Sequence, residues 1–346
     1  MHVSLIVPAP FEQISGGYAY DRRMVEGLRA TGHEISVIEL PGSFPVTEET
    51  TRQAAGAICE ALAGGTYPVI DGLALPAFAG LEETLAARTC VGLIHHPTAL
   101  ETGLSDTARE ELQAIERRLY WHLRKILVTS ATTAARVVAE FGVARNKIAV
   151  VVPGTDEAPR CTGSGSSVCQ ILSIGALVPR KGHDVLLRAV ARLFDLNWHL
   201  TIVGTPDRHP VHAHKLARLA EELNITQQVR FAGEVTDQEL YALWRAADVF
   251  ALATRYEGYG MAIAEALKRG LPVAVTAGGS AAELVGPEAG AVCQPGDHQQ
   301  LSKALRRLIF NPELRREMGE AAWKIGQTLP SWSAQAEIFA RALDVR

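Results

Sequence analysis

The chain has no apolar stretch approaching the eighteen or so residues of a membrane span, and the short run Val3–Val7 stops at Pro8 and Pro10. A membrane anchor and a signal-peptide core are therefore not expected, and a cytoplasmic protein is. Five cysteines, Cys59, Cys90, Cys161, Cys169 and Cys293, form no Cys-x-x-Cys and no Cys/His ligand spacing. They read as reduced thiols, neither a disulfide framework nor a metal site. An excess of basic charge is also missing, since 34 Lys and Arg stand against 38 Asp and Glu for a net charge of -4. A surface shaped as a whole for nucleic acid is excluded on that ground. Gly-x-Gly-x-x-Gly is absent from the turns after both strands that open a domain, which argues against a nicotinamide-dependent oxidoreductase.

What the chain does have is length and apolar content, 346 residues of which 47% are hydrophobic and 21% charged. One core rarely serves so many residues, so two domains are expected. Short Val/Ile/Leu-rich runs alternate with segments of helical period, the pattern of a parallel sheet buried on both faces, and the fold class is α/β. In the first half the runs are His2–Val7, Glu34–Glu39, Pro68–Ile70, Cys90–His95, Lys125–Thr129 and Lys147–Val151. The second set is Gln170–Ile174, His199–Val203, Val229–Ala232, Val249–Leu252, Pro272–Val275 and Ala291–Cys293. Between them the Gly- and Ser-rich stretch 155–167 reads as a connection. The expected division is a first Rossmann-like domain over 1–155, a second over 156–328, and a C-terminal helix over 329–346 that returns to the first. Two such sheets facing one another would place ligands at the carboxyl ends of their strands.

Three segments carry chemistry. Ser15-Gly16-Gly17-Tyr18 stands between a strand and a helix, where glycines admit close backbone approach and a helix start favours phosphate. Alone, a Gly-Gly pair reads equally well as a loop with permissive dihedrals. Gly175-Ala176-Leu177-Val178-Pro179-Arg180-Lys181-Gly182 puts two cations on a shaped loop that suits a diphosphate, against the plainer reading of a solvated basic turn. In Thr254-Arg255-Tyr256-Glu257-Gly258-Tyr259-Gly260-Met261 and onward to Glu265, one carboxylate lies in a loop and a second about two turns down a helix. A capped solvated helix explains Gly258 and Gly260 poorly, because glycine at a helix start costs stability.

The Glu-x7-Glu segment with the following Glu-Ala-Leu and Gly-Leu-Pro-Val resembles glycosyltransferase family 4, retaining enzymes of the GT-B fold. Gly16-Gly17 with Gly32-His33-Glu34, Val152-Pro153-Gly154-Thr155-Asp156, Gly278-Gly279 with Glu283-Leu284-Val285, and Pro295-Gly296-Asp297 are similar to further signatures of that family, so the resemblance runs through nearly the whole chain. It implies a nucleotide-diphosphate sugar as donor, a hydroxyl-bearing acceptor and transfer of a hexose-like sugar. Glu265 is implied to hold the donor ribose, Glu257 the transferred sugar, and Lys181 the diphosphate, with Gly16 and Gly17 below it and Gly258, Tyr259 and Gly260 lining the donor. One of His95 and His96 matches the position beside the reaction centre, and His95 fits the strand register better; a core or surface histidine is the plainer alternative.

The family usually carries Arg directly after the glycine at Gly175, where this chain has Ala176, and Arg180 is the candidate replacement. No Asp-x-Asp occurs, so neither a metal nor another cofactor is expected and cations and helix ends are left to hold the diphosphate. The segment from Arg117 to Lys125 mixes basic and aromatic residues, and reads as a helix end more readily than as a peripheral membrane contact. Within the same fold a nucleotide-sugar epimerase is the nearest enzymatic alternative. Ala176 also motivates a non-catalytic nucleotide-sugar-binding protein.

Overall fold

A computed structural model describes residues 1–344 and resolves the chain into two units, 1–154 together with 330 onward, and 155–329. Residues 345 and 346 of the expected C-terminal tail lie outside the described residues.

The first unit is built on β1 (His2–Pro8), β2 (Glu34–Leu40), β3 (Thr66–Asp71), β4 (Val91–Ile94), β5 (Lys125–Val128) and β6 (Ile148–Val150). All pair in parallel, in the order β2-β1-β3-β4-β5-β6. β4 is buried along its whole length, and β1, β3 and β5 along all but their first one or two residues, which is why each reads as a mostly apolar run rather than an alternation. Fully buried residues such as Ile6, Ile70, Ile94 and Ile126 each contribute roughly 1.5–3 kcal/mol relative to exposure. The helix Trp332–Asp344 belongs to this unit and packs on the helix Gly16–Ala30. Small residues set that approach, because a Cβ at Gly27 would stand 2.6 Å from the Cβ of Ala336.

The second unit repeats the design with β7 (Cys169–Ile174), β8 (Trp198–Val203), β9 (Val229–Gly233), β10 (Val249–Leu252), β11 (Val273–Thr276) and β12 (Gly290–Cys293), parallel and ordered β12-β11-β10-β7-β8-β9. The chain leaves β7 toward β9 on one side and returns from β10 toward β12 on the other. The order therefore reverses between β7 and β10, and in open α/β sheets that switch point is where ligands bind. In the first unit the reversal falls between β1 and β3. All twelve runs read from the sequence are strands, displaced by no more than two residues at an end. The fold class expected from the alternation is the one observed.

Candidate active site

The loops after β7 and β10, which flank the switch point of the second unit, carry Lys181 and Glu257 into direct contact. Lys181 Nζ donates to Glu257 Oε1 at 2.7 Å, with both side chains largely buried. Lys181 reaches there because Gly175 has no side chain: a Cβ at that position would lie 3.0–3.2 Å from three carbons of the lysine stem. Arg180 Nη1 donates to the Tyr256 carbonyl at 2.8 Å, so both cations of the first loop engage the second. Burial alone would raise the Glu257 carboxyl, but Lys181 and Arg180 outweigh it and hold the group below its ordinary value. Glu257 is an anion with cationic partners already in place.

Backbone stitching fixes the two loops against each other. Arg255 N–H donates to the Arg180 carbonyl at 2.8 Å, and the Arg255 guanidinium grips Asp184 through two bonds of 2.9 and 2.8 Å while donating to the Pro179 carbonyl. Gly182 completes the turn in the left-handed region at φ +65°, where a side chain would collide with the Ala253 carbonyl. His183, immediately after it, is fully buried against the Gly175 carbonyl at 3.1 Å, and burial depresses its imidazole to about 4. The histidine under this loop is neutral.

Gly258 is half-buried, Tyr259 is buried, and Gly260 caps the helix Met261–Lys268 at φ +101°. Glu265 stands just beyond the first turn of that helix, not two turns down as the sequence pattern suggests, because the helix begins only at Met261. Its half-buried carboxyl is pushed above its ordinary value by desolvation, with Arg269 pulling the other way.

In the first unit, Gly16 and Gly17 open the helix Gly16–Ala30, which Ser15 caps by accepting from the Tyr18 N–H. Gly16 is exposed with open space where a Cβ would be, whereas a Cβ on Gly17 would stand 3.3 Å from Cδ2 of His95. Gly17 is thus a clearance for the histidine ring. His95 follows the end of β4, which stops at Ile94 rather than including it. Its Nε2 lies 3.0 Å from Asp21 Oδ1 and 3.3 Å from Asp71 Oδ2, and the edge of Tyr20 packs on its ring at 5.1 Å between centroids. Tyr20 in turn donates to the Val151 carbonyl at 3.0 Å and packs against Trp332. His96 turns to Glu101, at 3.1 Å.

Asp21 and Asp71 are the residues that sequence reasoning missed. Asp21 had a signal: a carboxylate set in the stripe Tyr18, Met24, Val25 and Leu28 that the helix buries. Asp71 closes the apolar run of β3. With His95 they are the one group among the described residues whose composition and spacing suit a metal ion, their donor atoms lying within 4.8 Å of one another.

Residues 157–325 match the family described as glycosyl transferases group 1. The match spans nearly the whole of the second unit. Among curated proteins the chain is similar to the MMP alpha-(1->4)-mannosyltransferase of Mycolicibacterium hassiacum, 28% identical over 228 residues that cover 64% of this chain and 54% of that protein. The chain thus spans about half the length of that relative. Among solved structures it is similar to sucrose-phosphate synthase from Thermosynechococcus elongatus, with a TM-score of 0.83, 20% identity and coverage of 98% and 97%. HepE of Anabaena in complex with UDP-glucose follows with a TM-score of 0.81, 15% identity and both chains covered fully. These likenesses extend over both units and show the GT-B fold, and the resemblance to family 4 drawn from the motifs is borne out. Within the matched residues lie Arg180, Lys181, Glu257, Gly258, Tyr259, Gly260 and Glu265. Gly16, Gly17 and His95 belong to the first unit. Among the described residues no helix is long and apolar enough to cross a membrane.

Proposed function

We propose that the chain is a retaining glycosyltransferase that moves a hexose-like sugar from a nucleotide-diphosphate sugar to an acceptor hydroxyl without a metal. The observation that carries this is the contact of Lys181 with Glu257 at 2.7 Å, beside Arg180, on the two loops that flank the switch point of a group 1 glycosyltransferase domain. A neighbour of the same fold bound to UDP-glucose, and a relative named as a mannosyltransferase, favour a nucleoside-diphosphate hexose as donor.

The chemistry follows from charge. As the bond from the anomeric carbon to the diphosphate breaks, its electron pair leaves with the diphosphate, and Lys181 and Arg180 neutralise the growing negative charge. An ammonium has three donors, so Lys181 can keep Glu257 and still serve a phosphate oxygen. Glu257, held ionised, accepts from the hydroxyls of the transferred sugar. Glu265 has a carboxyl raised by burial, and the two hydroxyls of a ribose would donate to it. The acceptor oxygen bonds to the anomeric carbon on the face the diphosphate leaves, and its proton passes to the departing phosphate oxygen. The family resemblance assigns His95, in the first unit, a positioning role in which it takes no proton.

A thermal-shift panel of nucleotide sugars tests the donor, since a ligand present at a hundred times its Kd adds about 2.7 kcal/mol of stability. Proton NMR of the product formed with the stabilising donor, run with and without a chelator, tests the rest. Retained configuration and full activity in chelator are expected. An inverted product or a chelator-sensitive rate would remove those parts of the proposal. An epimer formed from donor alone would replace transfer altogether.

A further inference from the structure

One surface of the first unit is cationic in a chain that is not. Residues 117–147 hold seven Lys and Arg against one acidic residue, Glu140, although the whole chain carries a net charge of -4. The helix Asp106–His122 buries Leu112, Glu116, Leu119 and Tyr120, which turns Arg117, Arg118, Trp121 and His122 to solvent along one face. Trp121 is 65% exposed, whereas Trp198 and Trp244 are buried and Trp323 and Trp332 half-buried. The fold brings further charge to this helix end. Lys147 Nζ donates to the carbonyls of Trp121 and Leu123 at 2.7 and 3.2 Å, and Arg145 stands exposed on the same short turn, Arg145–Lys147. Arg117 Nη2 reaches the Glu140 carbonyl at 2.9 Å, near the end of the helix Ala131–Phe141. From sequence the segment Arg117–Lys125 reads as a helix end, but a helix end needs a cation for its last carbonyls, and Lys147 already fills that place. Arg118, 60% exposed and 3.5 Å from Glu82, and Arg145 add charge that capping does not require. The acidic half of the helix, Asp106, Glu110 and Glu111, lies roughly 15 Å or more back along its axis from Trp121.

We propose that this face is a peripheral docking surface for an anionic phospholipid bilayer, with Trp121 seated at the headgroup level and Arg117, Arg118, Arg145 and Lys147 facing the lipid phosphates. Cations alone attract any polyanion, and the indole is what favours a bilayer. An amphipathic ring exposed among Lys and Arg on one helix face is the composition of an interfacial contact, where the ring enters the headgroup layer and the charges stay in water. A nucleic acid duplex or an acidic protein would be held by the cations without need of the ring. One ring and a few cations give reversible attachment rather than insertion. The two helices that carry the surface lead into β5 and β6, so it lies at the amino edge of the sheet, opposite the carboxyl edge that carries His95. Docking therefore leaves the carboxyl edge of the unit clear for ligands.

Flotation of the full chain with vesicles of phosphatidylcholine, with and without phosphatidylglycerol, tests this without any turnover. Partition onto the anionic vesicles alone is expected, and it should be lost on raising salt from about 0.1 to 1 M, where the screening length falls from about 10 to 3 Å. Tryptophan emission should shift to the blue on docking, and the shift should vanish in Trp121→Ala. Each cation near a charged membrane is worth about fivefold in partition, so Arg118→Gln combined with Arg145→Gln should weaken docking about twentyfold. Trp121→Ala should weaken it about tenfold. All three positions are exposed, so both variants are expected to melt with the wild-type chain, and the lipid and salt arms need no variant at all. No partition onto anionic vesicles, equal partition onto neutral ones, or partition that both variants retain would each overturn the proposal. Retention on heparin or duplex DNA without partition onto vesicles would give the surface to another anion and overturn it likewise. A chain that docks on anionic vesicles yet transfers no sugar from any nucleotide sugar would remove the proposed activity and leave this surface standing.

Discussion

The turn that carries His95 and the loops that carry Lys181 are held by opposite chemistry. In the first unit buried carboxylates accept from the turn. Glu116, fully buried, takes the N–H groups of Thr98 and Ala99 and the hydroxyls of Thr98 and Tyr120, all between 2.7 and 3.0 Å. The second unit reverses the roles, with guanidinium groups of Arg180 and Arg255 donating to loop carbonyls and a left-handed glycine closing the turn. Each edge also keeps a histidine, flanked by two carboxylates in the first unit and neutral beneath the cationic loop in the second. The difference shows how one sheet topology makes two different sites. An edge framed by anions suits a cation, and an edge framed by cations suits an anion such as the diphosphate of the proposed donor.

The largest way to break the contrast is Glu116→Ala. It strips four buried donors of their acceptor, which is expected to cost about 3–5 kcal/mol in urea unfolding. Glu116→Gln should cost less, because burial already raises the Glu116 carboxyl despite its four donors. A loss under about 1 kcal/mol for Glu116→Ala would mean that the turn is held by its apolar packing instead.

Mild acid should act on the two units with opposite sign. The His183 value in the folded chain, about 4, lies below the ordinary 6.5, so the unfolded chain takes up that proton first as pH falls. The associated stability is intact above about pH 6.5 and is lost toward pH 4, by about 3 kcal/mol at most. Glu116 lies above its ordinary value, so its contribution improves as pH falls through the folded value. His183→Gln retains a donor for the Gly175 carbonyl and should flatten the acid limb of the stability curve. An unchanged slope between pH 6.5 and 4 would remove His183 as the origin of that limb.

Much of the architecture was legible because strands buried on both faces must be short apolar runs, and no other element of a doubly wound unit looks like them. The glycosyltransferase motifs were legible for a local reason: Arg180 with Lys181, and Glu257 with Glu265, each lie within a few residues of their partner. The company that Asp21 and Asp71 keep with His95 was not, since 50 residues separate the two aspartates and only the adjacency of β1, β3 and β4 unites the three. Gly17 was read as an approach to phosphate, whereas its observed neighbour is a ring. The depth of Glu265 was misjudged because φ +101° at Gly260 delays the helix start, and sequence pattern alone does not fix where an αL residue ends a loop.

Lys181→Ala tests the cationic edge more directly, with donor turnover expected to fall about a hundredfold as Glu257 loses its ammonium partner and the proposed diphosphate a cation. Lys181→Arg should recover only part of this, since a planar fork does not follow the lysine stem over Gly175.

The smallest effect is expected at Arg180, and it bears on how the chain manages with Ala176 where the family carries Arg. Arg180 lies on the same loop as Lys181, spends one N–H on the Tyr256 carbonyl and helps hold Glu257 ionised. Its removal should lower turnover about tenfold, the worth of one charge-assisted hydrogen bond. Arg180→Lys separates charge from shape, because it keeps the cation and loses the fork that reaches Tyr256. The decisive construction adds an arginine where the family has it: Ala176→Arg in the Arg180→Ala background should restore most of the lost turnover without restoring the bond to Tyr256. If Arg180→Ala leaves donor turnover unchanged while Lys181→Ala abolishes it, Arg180 is a strut between loops, and Lys181 alone answers the charge of the leaving group.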